Sequence, residues 1–373
     1  TFFGFSNIPA IQLADKLAAM LPGRLSKIHF TSGGAESNET NLKLARYYHK
    51  LIGKPKKTKI ISRRRAYHGI SMGALSATGI ENYWKMFEPL APGFLHIAPP
   101  YCYRCELGLN YPSCNLACAR QLEEIVRREG NDTVAAFIGE PVQGAGGVIV
   151  PPDDYWPLIQ DICRREGILL IVDEVITGFG RTGKWFCSHH YGLEPDMISM
   201  AKGITSGYIP LGAAAINEEI YNAMVKLTPP DLPFMHGFTY SGHPTSCTAS
   251  LCNIGILERE DLPGNAARMG EYLRERLKEL EGLPIVGQTR CKGLMAAVEL
   301  VKDKNSREPF LPVGSAGARV SALAYEMGLI CRALQDSIAL SPPLIITKQQ
   351  IDDAVAILRK AIETASRKLN QQG

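Results

Sequence analysis

Apolar side chains along the chain follow two spacings, and each spacing predicts one kind of element. Residues 9–21, 118–130 and 153–167 repeat apolar positions at helical spacing. Between such helices lie continuous apolar runs, including "TVAAFIGEPV" and "ILLIVDEV", which are typical of strands buried on both faces. This alternation predicts a mostly parallel sheet with helices on both faces, and therefore an α/β fold.

The pattern changes after Ser250. A long charged amphipathic helix covers residues 265–283 and is followed by a short apolar strand. A polar insertion, "KDKNSREP", and a final helix from Lys348 to about Lys368 complete this part. We therefore predict a large domain at residues 1–255 and a smaller α+β C-terminal domain at residues 256–373.

Composition and charge narrow the class of protein. The chain has 373 residues, 45% of them hydrophobic, and a formal net charge of +4 with no dominant basic block, which argues against nucleic acid as a partner. The longest apolar runs are too short to span a bilayer, and the N-terminus has no signal peptide. These features predict a cytoplasmic protein with no membrane partner. Because the chain opens on Thr1 and not on Met, we expect a preceding segment of the small domain to be absent.

Four of the ten cysteines follow the spacing C-x2-C-x8-C-x3-C. They are Cys102, Cys105, Cys114 and Cys118. This spacing overlaps that of zinc sites, but the gap between the two pairs is short. We therefore expect buried thiols in a loop that runs into a helix, and no metal, with zinc as the open alternative.

Two charged residues stand beside apolar segments. Asp173 ends the strand "ILLIVDEV", and Lys202 lies among small uncharged residues in "SMAKGITSGYIPLGA". The aspartate could anchor a loop, and the two could form a buried salt bridge, although such pairs contribute little net stability. Alternatively, an interior lysine loses its proton readily and forms a Schiff base with an aldehyde.

Pyridoxal 5'-phosphate supplies such an aldehyde, and it requires an acidic partner for its pyridine nitrogen and a site for its phosphate. The segment "TSGGAESNE" places Gly33 and Gly34 between a strand and a helix, where backbone N–H groups can bind a phosphate. Tyr67 and His68 follow another strand, where an aromatic ring can stack on the cofactor. Each feature taken alone has a structural alternative, which is a plain glycine turn for the first and a core tyrosine for the second. Taken together, the features indicate one ligand.

These segments together resemble the class III aminotransferases, which are fold-type-I pyridoxal-phosphate enzymes. The similar segments occur in the family's order through essentially the whole chain: "FTSGGAESNE", "AYHG", "GEPVQGAGG", "VDEVITGFGRTG", "AKGI", "HGFTYSGHP" and "RALQDSIALSPPL". The resemblance implies a large, mostly parallel-sheet domain that binds the cofactor and a smaller α+β domain.

The resemblance also implies roles for individual residues. Lys202 matches the lysine that holds pyridoxal 5'-phosphate as a covalent imine and moves the proton, and Asp173 matches the partner of the pyridine nitrogen. The other positions that match cofactor contacts within one chain are Gly34, Ala35, Tyr67, His68, Glu140 and Val175. Ala35 stands where the family often has serine, so the backbone N–H alone would serve there.

The partners follow from the same resemblance. Phe238 and Thr239 match residues that reach the phosphate of the neighbouring subunit, which implies a homodimer and leaves open whether dimers pair into tetramers. Arg332 matches a mobile arginine that binds a substrate carboxylate, and Tyr67 also faces the substrate. The segments are most similar to the ω-amino acid:pyruvate and amine transaminase branch. An aminomutase, racemase or phospho-lyase on the same scaffold is the alternative.

Overall fold

Contacts within the chain divide this computed structural model, which describes residues 4–370, into two units. The first unit consists of Thr1–Pro141, Pro151–Phe179 and Trp185–Glu260. The second consists of Val142–Val150, Gly180–Lys184 and Asp261–Gly373. The predicted domain boundary between residues 255 and 256 falls inside a helix of the first unit, Pro244–Arg259.

A seven-stranded mixed sheet forms the centre of the first unit. Its strands are β1 (Leu25–Thr31), β2 (Lys59–Arg63), β3 (Phe94–Ile97), β4 (Val134–Gly139), β5 (Leu169–Asp173), β6 (Met197–Met200) and β7 (Gly212–Asn217). They lie in the order β1-β7-β6-β5-β4-β2-β3. Strands β2, β3, β4, β5 and β6 are parallel to one another. Strand β7 runs antiparallel to both of its neighbours, β1 and β6.

Every residue of strands β4 to β7 is buried, as expected for strands that are covered on both faces. The helices of this unit are α1 (Ile8–Ala18), α2 (Gly34–Leu51), α3 (Met72–Ala77), α4 (Ala117–Glu129), α5 (Tyr155–Glu166), α6 (Glu218–Leu227) and α7 (Pro244–Arg259). Local signals set several of their ends. The Asn7 side chain caps α1 at Ala10 N–H, and Gly167, with a φ of 59°, ends α5 in the left-handed conformation. The predicted α/β class is therefore confirmed.

The second unit contains a four-stranded antiparallel sheet and three helices among its described residues. Its elements are α8 (Leu262–Lys278), β8 (Val286–Lys292), β9 (Met295–Leu300), α9 (Ser315–Glu326), β10 (Arg332–Leu334), β11 (Ser337–Leu340) and α10 (Lys348–Asn370). The sheet order is β10-β11-β9-β8. This arrangement agrees with the predicted α+β character of the C-terminal part and with the predicted final helix.

The predicted burial of the four clustered cysteines is wrong. Cys102 is exposed, and Cys105, Cys114 and Cys118 are half-buried, because they lie on an irregular surface segment that ends in the first turn of α4. Partial burial is the main cause that raises the pKa of the half-buried Cys118 thiol to about 12. Between residues 4 and 370, no group of three or more His, Cys, Asp or Glu side chains is arranged to hold a metal ion.

None of the helices within the described range has both the length and the apolar character needed to cross a bilayer.

A buried ion pair holds an irregular loop within the second unit. Arg290 Nη2 donates to Glu299 Oε2 at 2.8 Å and to the Gly147 carbonyl at 2.7 Å, while Arg290 Nε donates to the Val148 carbonyl at 3.1 Å. Val148 has a φ of 52°, which is a costly conformation for a β-branched residue. The hydrogen bonds of Arg290 therefore fix this loop in a conformation that it would not adopt alone.

Replacing Arg290 should destabilise the second unit strongly. The R290A variant leaves the Glu299 carboxylate buried without its cation, so we expect the free energy of unfolding to fall by about 3–5 kcal/mol. The control is R274A, which breaks an exposed ion pair with Glu271 and should cost less than about 1 kcal/mol. Urea unfolding followed by circular dichroism measures both. Equal losses in the two variants would contradict this account of the loop.

Candidate active site

The Asp173 carboxylate lies at the carboxyl end of β5 and is only 3% exposed. Its Oδ2 accepts hydrogen bonds from Asn38 Nδ2 and from His68 Nδ1, both at 2.8 Å. Its Oδ1 accepts the N–H of Val175 at 3.0 Å. In the described part of the chain no Lys or Arg forms an ion pair with Asp173, so the alternative of a salt bridge to Lys202 is wrong. The carboxylate is thus held rigidly by three donors and lacks a Lys or Arg partner.

A polar stripe on α2 supplies one of these donors. Ser37, Asn38 and Asn41 are buried on the helix face that packs on the sheet, where apolar side chains are the usual choice. Asn41 Nδ2 donates to the Ile198 carbonyl at 2.9 Å, and Ser37 Oγ donates to the Met200 carbonyl at 3.1 Å. The stripe therefore fixes the first turns of α2 against β6 as well as against Asp173.

Asn38 was not among the site residues predicted from the sequence. The signal was present in "ESNETN", because positions 37, 38 and 41 share one helix face and are all polar. Polar residues on a buried helix face require internal partners, and at a strand end these partners include functional groups.

The first turn of α2 lies against the segment that follows Asp173. A Cβ placed on Gly34 would come within 2.8 Å of Val175 Cγ1, and one placed on Gly69 would come within 2.7 Å of Ala35 Cβ. Gly33, the N-cap residue, provides no capping side chain for the helix. The N-terminal N–H groups of α2 thus lie beside Val175, and no side chain of the N-cap residue accepts their hydrogen bonds. Such N–H groups at the start of a helix can bind an anion.

Glu140 directly follows β4, the neighbour of β5, and is 3% exposed. Its Oε1 accepts the backbone N–H of Tyr67 at 3.0 Å, and its carbonyl accepts Arg63 Nη2 at 2.5 Å. The Tyr67 ring is half-buried and lies edge-on to Tyr83, with 6.2 Å between the ring centres. Glu140 therefore fixes the backbone that carries Tyr67 and His68 next to the strand that carries Asp173.

Lys202 begins a short 3-10 turn, Lys202–Ile204, immediately after β6. Strand β6 pairs with β5, with Ser199 opposite Asp173, so the lysine leaves the same edge of the sheet. The prediction of an interior lysine is wrong, because the side chain is exposed. Ala201 and Ile204 on either side of it are buried, so the turn itself is covered and the lysine side chain lies on its exposed side.

Glu174 is a second buried carboxylate, and it was not among the site residues predicted from the sequence. Its Oε1 accepts the N–H and the hydroxyl of Ser188 at 2.6 and 2.7 Å. Its Oε2 accepts the Cys187 N–H at 3.1 Å and the Thr177 hydroxyl. Although burial raises its pKa, all four partners are donors, which favours the ionised form. Glu174 ties the segment after Asp173 to residues 187 and 188.

The remaining predicted residues lie elsewhere. Phe238 is half-buried, its N–H donates to Ser241 Oγ at 3.2 Å, and Thr239 next to it is exposed. Arg332 begins β10 in the second unit and is exposed. The first unit thus brings together, at one edge of its sheet, the positions Gly34, Ala35, Tyr67, His68, Glu140, Asp173, Val175 and Lys202.

Comparisons with known proteins agree with this geometry. The model of the family described as aminotransferase class-III matches residues 1–362. The chain is 41% identical to a diaminobutyrate–2-oxoglutarate transaminase of Halomonas elongata, over 100% of this chain and 81% of the relative. It is also 41% identical to a putrescine–pyruvate aminotransferase of Pseudomonas aeruginosa, over 97% of this chain and 78% of the relative.

A solved structure with the same fold is the (S)-enantioselective omega-transaminase from Thermomicrobium roseum. It has a TM-score of 0.94 and 51% sequence identity, and the match covers 98% of this chain and 81% of that one. These relatives are transaminases, which does not favour the mutase, racemase or phospho-lyase alternative. The chain belongs to the class III aminotransferases, whose members depend on pyridoxal phosphate.

Proposed function

We propose that this aminotransferase moves an amino group from a primary amine or an ω-amino acid to a keto acid such as pyruvate, in a ping-pong cycle. The observation that carries the proposal is the buried Asp173 carboxylate, which three hydrogen bonds hold beside the strand that leads to Lys202.

The residues at this edge of the sheet fit pyridoxal phosphate. Asp173 is a buried carboxylate without a Lys or Arg partner among the described residues, and a protonated pyridine nitrogen would balance its charge. The N-terminus of α2 suits a phosphate group, and the close approach of Gly34 to Val175 leaves no space for a side chain there. Lys202 supplies an amine that is accessible to an aldehyde.

Each residue then has a defined task. When bound, the cofactor supplies an electron-withdrawing ring that stabilises the negative charge formed when the donor carbon loses a proton. Asp173 would keep the proton on the pyridine nitrogen, while Asn38 and His68 hold the carboxylate in place. The N–H groups of Gly34 and Ala35 would bind the phosphate, and Val175 and Tyr67 would cover the two ring faces. Lys202 Nζ would hold the cofactor and move the proton.

The proposed substrates rest on the relatives and on Arg332. The Pseudomonas aeruginosa relative is named for putrescine and pyruvate, and the Thermomicrobium roseum neighbour is an omega-transaminase. The exposed Arg332 guanidinium is accessible to a substrate carboxylate, in agreement with a keto-acid acceptor. The Halomonas elongata relative is named for 2-oxoglutarate, which is the second acceptor to test.

The visible absorbance of the protein after addition of pyridoxal phosphate tests the proposed function. The band of the lysine-bound cofactor should bleach when 1-phenylethylamine is added and return when pyruvate follows, because the two half-reactions consume and restore the same form. The K202A variant should form no such band. The exposed lysine variant K226A, on α6, should behave like the wild type.

Two outcomes would contradict this proposal. A band that persists in K202A would show that the cofactor is bound to another lysine. Recovery of the band with 2-oxoglutarate but not with pyruvate would contradict the proposed acceptor and leave the amine donor in place.

We further propose that the active unit is a homodimer in which Phe238 and Thr239 reach the phosphate of the neighbouring site. Thr239 is exposed, and so are the large apolar side chains Met86, Phe87, Met235 and Tyr240. Met235 and Tyr240 belong to the same segment as Thr239, and exposed apolar side chains beside it support coverage of this segment by another subunit.

Mixing two impaired variants tests whether Thr239 acts on the neighbouring site. T239D should repel the phosphate, and K202A cannot bind the cofactor covalently, so each variant alone should be nearly inactive. After mixing under exchange conditions, each heterodimer should contain one complete site, and about a quarter of the wild-type activity should return. If mass spectrometry shows that the subunits have exchanged but no activity returns, the proposed arrangement is contradicted. The negative control is the K202A/T239D double variant mixed with K202A.

The cytoplasm is the proposed location. All ten cysteines have free thiols, which agrees with a reducing compartment.

A further inference from the structure

The backbone at Lys202 has an unfavourable conformation. Its φ is 46°, in the left-handed region that residues with a side chain seldom occupy. Within the turn, the Ile204 N–H donates to the Ala201 carbonyl at 3.1 Å and the Thr205 N–H donates to the Lys202 carbonyl at 3.2 Å. A strained residue at a functional position persists only where its surroundings over-determine it, so the groups that hold this turn matter for Lys202.

Helix α7 holds the turn from one side. Asn253 Nδ2 donates to the carbonyls of Gly203 and Ile204, at 2.9 and 3.2 Å. Ser250 Oγ, about one helical turn earlier, donates to the same Ile204 carbonyl at 2.9 Å. The two residues directly after Lys202 therefore have their carbonyls bound by side chains of one helix.

Phe179 limits the turn from another direction. A Cβ placed on Gly203 would come within 2.9 Å of Phe179 Cβ, and Phe179 is itself buried against Phe186, with 5.3 Å between the ring centres. Gly203 therefore has no space to move toward Phe179. If the bonds from Asn253 are lost, the turn can relax only by rotating its own peptide groups, and this rotation changes the backbone at Lys202.

We propose that Asn253 is a positioning residue for Lys202. Its amide fixes the carbonyls of Gly203 and Ile204 and thereby keeps the Lys202 backbone in the left-handed conformation that directs the side chain from the end of β6. This inference rests on the proposed role of Lys202 as the lysine that binds the cofactor. Small displacements of a reacting group cost large factors in rate, so the effect should appear in the reaction of Lys202 itself.

The rate at which added pyridoxal phosphate becomes lysine-bound in the cofactor-free protein tests the inference. We expect this rate to fall about tenfold in N253A. It should fall at least as far in N253D, because a carboxylate of the same shape cannot donate to the two carbonyls. S250A removes one of the three bonds to the turn and should slow the reaction about two- to threefold, which keeps the test available if N253A folds poorly.

The matched control is N265A. Asn265 in α8 also donates its Nδ2 to two backbone carbonyls, those of Leu344 and Ile346, at 2.6 and 3.2 Å. This variant should lower the melting temperature about as much as N253A but leave the rate of lysine binding unchanged. In steady-state assays N253A should lower kcat and leave the KM for pyruvate near the wild-type value.

If the rate of lysine binding falls no further in N253A than in N265A, the inference is overturned. The proposed function of the wild-type protein would still stand in that case. A wild-type protein that never binds the cofactor through Lys202 would overturn the proposed function, and this inference with it. A selective loss of rate in N253A, N253D and S250A supports it.

Discussion

A carboxylate that is removed from water must find its donors inside the protein, and the site depends on how Asp173 meets this requirement. Its three donors come from three parts of the chain: Asn38 on α2, His68 after β2 and the Val175 backbone. Each donor also orders a group with a separate task, because α2 presents its N-terminus, the segment after β2 carries Tyr67, and Val175 lies against Gly34. One buried charge thus connects the N-terminus of α2, the segment that carries Tyr67, and Val175, which are the groups proposed to contact the cofactor.

Lys202 differs from Asp173 in that its side chain is not buried but exposed. Its backbone, which has a strained left-handed conformation, determines where the lysine leaves the sheet. The placement comes from strand β6, whose register with β5 sets Ser199 opposite Asp173, and from the contacts that hold the turn after the strand. The first unit therefore places a buried, hydrogen-bonded acid and an exposed amine at the same edge of its sheet.

The sequence predicted the features that follow from local pattern. Continuous apolar runs located β4 and β5, and the end of β5 located Asp173, because a polar residue after a buried strand must lie at the sheet edge. Glu140 was predicted from the family resemblance alone. Asn38 and Glu174 were missed because their roles depend on partners that are distant in the chain, such as Asp173 and Ser188. The exposure of Lys202 was also missed. Apolar neighbours in sequence do not reveal which side of a turn a side chain occupies: Ala201 and Ile204 are buried, whereas Lys202 is exposed.

The central claim is that Asp173 keeps the pyridine nitrogen of the cofactor protonated. Nitrogen-15 NMR of the protein loaded with labelled pyridoxal phosphate tests this directly, because the chemical shift of that nitrogen reports its protonation. The account predicts a pyridinium signal in the wild type and an unprotonated signal in D173N, whose neutral amide cannot balance the positive charge. The same signal in both proteins, with the cofactor bound to Lys202 in each, would contradict the account.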